Sequence, residues 1–268
     1  MKNRVVIITG GSSGIGKALC YVFGREGAKI VYSGRNEARL QEVSEGLSAE
    51  GIDHFYMACD AASEVDNQQL IEETVKRYGG IDVLINNAGI SMRALFQDLD
   101  LEVFRQVMDI NFWGTVYATK FALPHILEQK GSIIGISSIN GYRGTPARTA
   151  YTASKYAMNG FFEALRTEVM KKGVHILVAS PGFTNTNIRK AALNAEGSNQ
   201  GESPREEDKM MSAEEVAMHI LKATKKRKRD LVLTTLGKAT VFLNKLFPKW
   251  MDTMTYNHMA REKDSPFK

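Results

Sequence analysis

The sequence predicts an α/β fold built on one parallel sheet, and three observations carry that expectation. Strand-like runs at 4–9, 29–33, 53–59, 81–86, 131–137, 174–179 and 230–234 alternate with amphipathic helical stretches. The first run, Val5-Val6-Ile7-Ile8-Thr9, is apolar without alternation, as a strand covered on both faces must be. A chain of 268 residues suits one domain of this kind, with ample core.

Directly after the first run comes Gly10-Gly11-Ser12-Ser13-Gly14-Ile15-Gly16, and then a helical stretch from Lys17. A glycine turn between a strand and a helix lets backbone approach a pyrophosphate, which the N–H groups of the helix start then meet. The spacing is one residue longer in its first gap than the common dinucleotide fingerprint. A tight turn needing positive φ would use the same residues. The second strand runs into Gly34-Arg35-Asn36. An acidic residue there would hold ribose hydroxyls and repel a 2′-phosphate. None is present, and Arg35 offers a cationic fork, so NADP(H) is favoured over NAD(H). Asp60 ends the third strand, where its carboxylate can accept from an adenine amino group or cap the next helix.

Ser138 follows the fifth strand, at the carboxyl end where parallel sheets hold ligands; Ser137 competes for that place. Thirteen residues on, Tyr151 and Lys155 stand four apart in a helical segment and share one face. A cation beside a phenol favours phenolate, and at ~4 Å and an effective dielectric near 20 the effect is roughly 4 kcal/mol. Such a tyrosine can exchange a proton with a ketone or alcohol oxygen.

Further along, residues 185–211 include the breaker-rich stretch Glu196-Gly197-Ser198-Asn199-Gln200-Gly201-Glu202-Ser203-Pro204, which reads as a lid over the substrate. Ile90, Met92, Ile139, Tyr142 and Phe183 are candidate cleft walls, suggesting a bulky or apolar substrate, or are simply core. The net charge of +5 belongs to the carboxyl end: residues 209–268 carry 13 Lys and Arg against 6 Asp and Glu. The basic run Lys225-Lys226-Arg227-Lys228-Arg229 closes a helix whose negative dipole end favours cations, so nucleic acid is not the expected partner. Residues 236–268 form a helical extension beyond a domain spanning 1–235. Its stretch from Val241 to Met251 intersperses lysines among apolar residues, which suits covering the protein's own substrate cleft, a neighbouring subunit, or peripheral contact with a membrane. Cys20 and Cys59 read as small buried hydrophobes, and the five histidines lack ligand spacing, so no metal is expected. The amino terminus enters a strand at once and no apolar run reaches spanning length, which points to a cytoplasmic protein.

In sum of motifs, the chain resembles the short-chain dehydrogenase/reductase family, from Val5 to about Val232. The marks are Thr9 with Gly10, Gly14 and Gly16; Asn86-Asn87-Ala88-Gly89; Asn111; Ser138; Tyr151 with Lys155; and Pro181-Gly182 with Thr186. The tail looks most like bacterial relatives of a membrane-associated subgroup. The resemblance implies a doubly wound, Rossmann-like, seven-stranded parallel sheet with three helices on each face. It implies an oxidoreductase moving hydride between a nicotinamide and a carbonyl or secondary alcohol. Tyr151 would move the proton, Ser138 hold the substrate oxygen, and Lys155 bind the ribose hydroxyls while acidifying Tyr151. Asn111 would hold a water leading to Lys155. Asn87, Ala88 and Gly89 would tie strands and pass near the adenosine ribose, and Pro181, Gly182 and Thr186 would receive the carboxamide. Family members associate as dimers or tetramers, and Phe161, Phe162 and Leu165 would serve that contact or only the core. A sensor that binds nucleotide without reacting is the rival reading; it would be expected to lack one of Asn111, Ser138, Tyr151 or Lys155, and all four are present.

Overall fold

The computed structural model describes residues 1–201, 210–261, 265 and 267. Its strands are β1 (Val5–Ile8), β2 (Lys29–Gly34), β3 (His54–Ala58), β4 (Val83–Asn86), β5 (Ser132–Ile136), β6 (His175–Ser180), β7 (Thr184–Asn185), β8 (Met211–Ser212) and β9 (Asp230–Val232). Seven of them form one parallel sheet in the order β3-β2-β1-β4-β5-β6-β9, while β7 and β8 pair apart from it. The register lines up two apolar rows. Val31, Ile7, Leu84, Ile133 and Ile176 are successive partners on one face. Tyr32, Ile8, Ile85, Ile134 and Leu177 form the adjacent row on the other. Both rows are buried, which is why the strands read as unbroken apolar runs. Each such aliphatic side chain contributes about 1.5–3 kcal/mol by leaving water.

Helices α1 (Gly14–Gly24), α2 (Glu37–Ala49) and α7 (Ala213–Lys225) cover the second row; α3 (Glu64–Tyr78), α5 (Gly114–Gln129) and α6 (Thr149–Val169) cover the first. Their starts obey local rules. Asn36, Ser63 and Ser212 each accept from a backbone N–H three residues on, and Ser212 with Glu215 completes a reciprocal capping box. Ser63 thus caps α3, and Asp60 instead accepts from the N–H of Ala62 within the preceding turn. The basic run after α7 is engaged locally: Lys225 pairs with Glu26 at 2.6 Å, and Arg227 donates to the carbonyls of Gly173 and Lys130.

One feature differs from the expected plan, and one open alternative is decided. Helix α4 (Leu101–Met108) passes into α5 through a π-helical turn, Asp109–Trp113, which carries Asn111. Phe162 and Leu165 are core residues of the sheet face, so of the proposed contact residues only Phe161 remains partly accessible. Thiols Cys20 and Cys59 are buried and unpaired, and burial raises both, Cys59 to about 12.

The extension folds back as a hairpin of α8 (Thr235–Leu246) and α9 (Pro248–Ala260), with Pro248 opening the second helix. Arg143 ties it down, donating to Asn244 at 3.2 Å, Thr255 at 3.3 Å and Asp252 at 2.7 Å. Asn244 in turn donates to the Tyr142 carbonyl at 3.0 Å. No helix among the described residues is long and apolar enough to cross a membrane. The expected lid at 185–211 is described in part: residues 202–209 lie outside the described residues. Leu193 bridges to Met92 and to Asn199, so the described part packs on the cluster around Val103 and Val107.

Candidate active site

Strand β1 lies between β2 and β4, so successive connections leave it in opposite directions and open a crevice at the strand carboxyl ends. One cleft of about 630 Å³ occupies that place. At its near end Gly10 and Gly14 take φ of +66° and +52°, the left-handed region that a side chain would resist. Asn87 secures this turn: its side chain donates to the carbonyls of Thr9 and Gly10 at 2.9 and 3.0 Å. Its N–H and that of Ala88 both donate to the Thr9 hydroxyl at 3.0 Å. Ser13 precedes α1 without capping it, and the first turn of α1 holds no acid. The helix start therefore keeps its N–H groups directed at the cleft, a site suited to a pyrophosphate. The Thr186 methyl lies 3.3 Å from where a Gly14 side chain would begin, so the start of the lid region sits over this turn.

Ser12, Ile15, Arg35 and Asp60 line the same end, as expected, together with Asn36 and Arg39. Arg39 was legible but unread: it stands four residues after Arg35, one helical turn away. Asp60 is the sole carboxylate among the described lining residues.

At the far end the chemistry gathers. Lys155 is buried, and its ammonium donates to the Ile136 carbonyl at 2.9 Å and lies 5.7 Å from the Tyr151 ring centre. Burial lowers its pKa from 10.5 to about 8. The Tyr151 ring keeps some accessible surface, yet its hydroxyl lies deep among protein atoms. Burial raises the phenol, while the Ser138 hydroxyl and the Arg148 charge pull it down. This corrects the argument from charge alone: desolvation outweighs the Ser138 hydrogen bond and the Arg148 charge, and Tyr151 is a neutral acid. Arg148, three residues ahead of Tyr151, donates to the Ser91 hydroxyl at 2.8 Å and lines the cleft; sequence reading missed it. Ser137 turns away to Asn159 at 2.6 Å, leaving Ser138 beside Tyr151.

Asn111 is fully buried in the π turn. Its amide nitrogen donates to the Ile90 carbonyl at 2.9 Å and the Ser154 hydroxyl at 3.0 Å; its oxygen accepts from Ile90 N–H at 2.8 Å. Both amide hydrogens are occupied, so the side chain clamps the loop after β4, while its oxygen, accepting one N–H, keeps a second lone pair. A side chain on Gly89 would begin 3.2 Å from Asn111 Oδ1 and 3.6 Å from Lys155 Nζ, which shows how closely loop, π turn and lysine converge.

The remaining wall mixes expected and unexpected residues. Ile90, Ile139 and Phe183 line it, with Pro181 and Gly182. Met92 is buried behind, beside Val103, and Tyr142 lies outside the lining. Leu236, Gly237, Thr240, Met251, Met254 and Met259 of the hairpin complete the wall, which the sequence left open. Among the described residues no cluster of His, Cys, Asp or Glu could hold a metal.

The short chain dehydrogenase family model matches residues 4–197. The mouse protein named dehydrogenase/reductase SDR family member 7B is 38% identical over 271 residues, 99% of this chain and 84% of that one. A Pinus massoniana 11-beta-hydroxysteroid dehydrogenase is 38% identical over 198 residues, 73% of this chain and 55% of that one. Among solved structures, a short chain dehydrogenase/reductase from Burkholderia phymatum in complex with NAD superposes with a TM-score of 0.84 at 21% identity, covering 93% of this chain and 95% of that one. An alcohol dehydrogenase from the archaeon Thermococcus sibiricus, complexed with 5-hydroxy-NADP, gives 0.75 at 21% identity, covering 87% and 96%.

Proposed function

From the chain's membership of the short chain dehydrogenase family, we propose that this oxidoreductase uses NADP(H) and reduces a bulky or apolar ketone. The observation that carries the reading is one continuous cleft, with Arg35 and Arg39 at one end and Ser138, Tyr151 and Lys155 at the other. The residues fit a dinucleotide: a positive-φ glycine turn, an uncapped helix start and a pair of arginines stand in the order its phosphates require. When bound, the nicotinamide supplies the hydride equivalent.

The chain's own residues do the rest. Ser138 donates a hydrogen bond to the substrate oxygen and orients it. Tyr151, held neutral by burial, gives its proton to that oxygen, which suits reduction as the working direction. Lys155, with its pKa near 8, is charged at neutral pH and binds ribose hydroxyls. Asn111 holds Ile90 and Ser154, so the wall beside Lys155 keeps its shape. The methionines and Leu236 of the hairpin supply the apolar contact that favours a bulky substrate.

The test is a ketone panel, lipid-like and simple, assayed by loss of NADPH or NADH absorbance. Apolar ketones should turn over with NADPH. Tyr151→Phe should lose about 10²–10⁴-fold in turnover while still binding NADPH by fluorescence. Equal turnover by that variant, or a preference for NADH, refutes the corresponding half of the reading. NADPH binding with no turnover across the panel would point to the non-reacting sensor.

A further inference from the structure

The hairpin of α8 and α9 has two faces, and only one is used by the cleft. On α8, Lys238, Phe242, Lys245 and Leu246 follow one another at helical spacing and are all exposed. Phe247 links the helices and Trp250 lies in the first turn of α9. Phe242, Leu246, Phe247 and Trp250 are 62%, 55%, 55% and 51% exposed, the large apolar side chains of a single hairpin tip. Lys249 joins Lys238 and Lys245, and no acidic residue occurs between Thr235 and Met251. Asp252, the next acid, is engaged by Arg143. None of the tip residues lines the cleft, whereas Gly237, Thr240 and Met251 of the same helices do.

We infer that this tip docks the protein on an anionic lipid surface, with the aromatic residues entering the interface and the three lysines meeting headgroup charge. Aromatic side chains beside lysines are the chemistry of an interfacial helix pair, whereas an isolated apolar patch would suit a protein partner equally. Charge selects the occupant. A second copy would bring three lysines against three lysines across a two-fold axis, while anionic headgroups neutralise them. Docked this way, the outer face of the hairpin meets lipid and its inner face lines the substrate cleft, which places that wall beside a reservoir of apolar molecules. The inference is independent of cofactor preference.

The chain has two tryptophans, Trp113 and Trp250, so Trp113→Phe leaves one reporter at the tip. With vesicles of phosphatidylcholine containing 30% phosphatidylglycerol (about the charge density of an anionic leaflet), its emission should shift to the blue and be quenched by brominated acyl chains. Vesicles of phosphatidylcholine alone should bind far more weakly, and each lysine changed to glutamine should weaken binding about fivefold. Phe242→Asp with Phe247→Asp should abolish co-sedimentation while NADPH binding and turnover of a water-soluble ketone stay unchanged, which separates lost docking from lost folding. Absence of blue shift, quenching and co-sedimentation overturns the inference. So does a concentration-dependent rise in mass by light scattering that the aspartate pair removes, because a second copy would then cover the tip.

Discussion

Lys155→Met should make the cofactor-free protein more stable while destroying its activity. Lys155 is 4% exposed, and burial alone moves its ammonium from 10.5 to about 8. That displacement corresponds to about 3 kcal/mol of destabilisation at pH 7. Methionine fills similar volume without the charge, but leaves the Ile136 carbonyl without its donor, at about 1 kcal/mol. The net gain is about 2 kcal/mol, or roughly 5 °C in melting temperature for a chain of this size. The pH dependence gives the sign. Between about 8 and 10.5 the unfolded lysine binds more proton than the folded one, so wild-type stability recovers as pH rises through that window. Calorimetry on wild type and variant should therefore show a gap that is widest at or below pH 7 and near zero by about pH 9.5. Lys171→Met, at an exposed lysine, serves as the control and should show no gap. A variant less stable than wild type at pH 7, or a gap that ignores pH, would refute the assignment of a charged, desolvated lysine.

Four other substitutions follow from the same geometry. Arg35→Ala and Arg39→Ala should each raise KM for NADPH about tenfold, as loss of a charge-assisted phosphate bond does, and leave KM for NADH nearly unchanged in steady-state assays. Gly16→Ala would place a side-chain carbon 2.1 Å from the Gly10 carbonyl oxygen and 2.5 Å from Asn87 Nδ2; backbone cannot yield there, so urea titration should show about 3 kcal/mol of lost stability. Arg143→Ala releases Asn244, Asp252 and Thr255; KM for bulky ketones should rise several-fold with little change for small ones, and a melting loss of about 1–2 kcal/mol should accompany it.

What could be read in advance divides along physical lines. The sheet was legible because strands such as Val5–Ile8 are buried on both faces and leave an unbroken apolar run. The two ends of the cleft were legible because phosphate binding and proton transfer each demand particular residue types at particular separations. The π turn was not: residues Asp109–Trp113 have helical composition, and the widened turn is settled by a distant demand, the bonding of Asn111 to Ile90. Such turns often mark functional positions. The acidity of Tyr151 was misjudged for a related reason. The charges near Tyr151 are visible in sequence, but the burial that outweighs the Arg148 charge and the Ser138 hydrogen bond belongs to the assembled cleft. The hairpin was ambiguous because both of its faces carry apolar residues, and periodicity alone does not say which face meets protein.

The end of β2 offers the sharpest test of cofactor choice, because three separate contacts converge there. Gly11 N–H donates to the Ser33 carbonyl at 2.8 Å, drawing the glycine turn against the strand end, and Cys59 N–H donates to the Gly34 carbonyl at 3.0 Å. The backbone of Gly34 is therefore held while its missing side chain leaves room facing Ser12; a Cβ there would begin 3.0 Å from the Ser12 hydroxyl oxygen. A hydroxyl rotates, so a small side chain fits at slight strain. Gly34→Asp would then set a carboxylate in the position where it accepts from ribose hydroxyls and repels a 2′-phosphate. The reversal should be large: NADPH binding weaker by about a hundredfold, from lost attraction and added repulsion together, with NADH binding improved. Fluorescence titration with both cofactors measures it. If the aspartate variant keeps its preference for NADPH, the adenosine end does not lie between Ser12 and Arg35, and the placement of the whole dinucleotide along the cleft must be reversed.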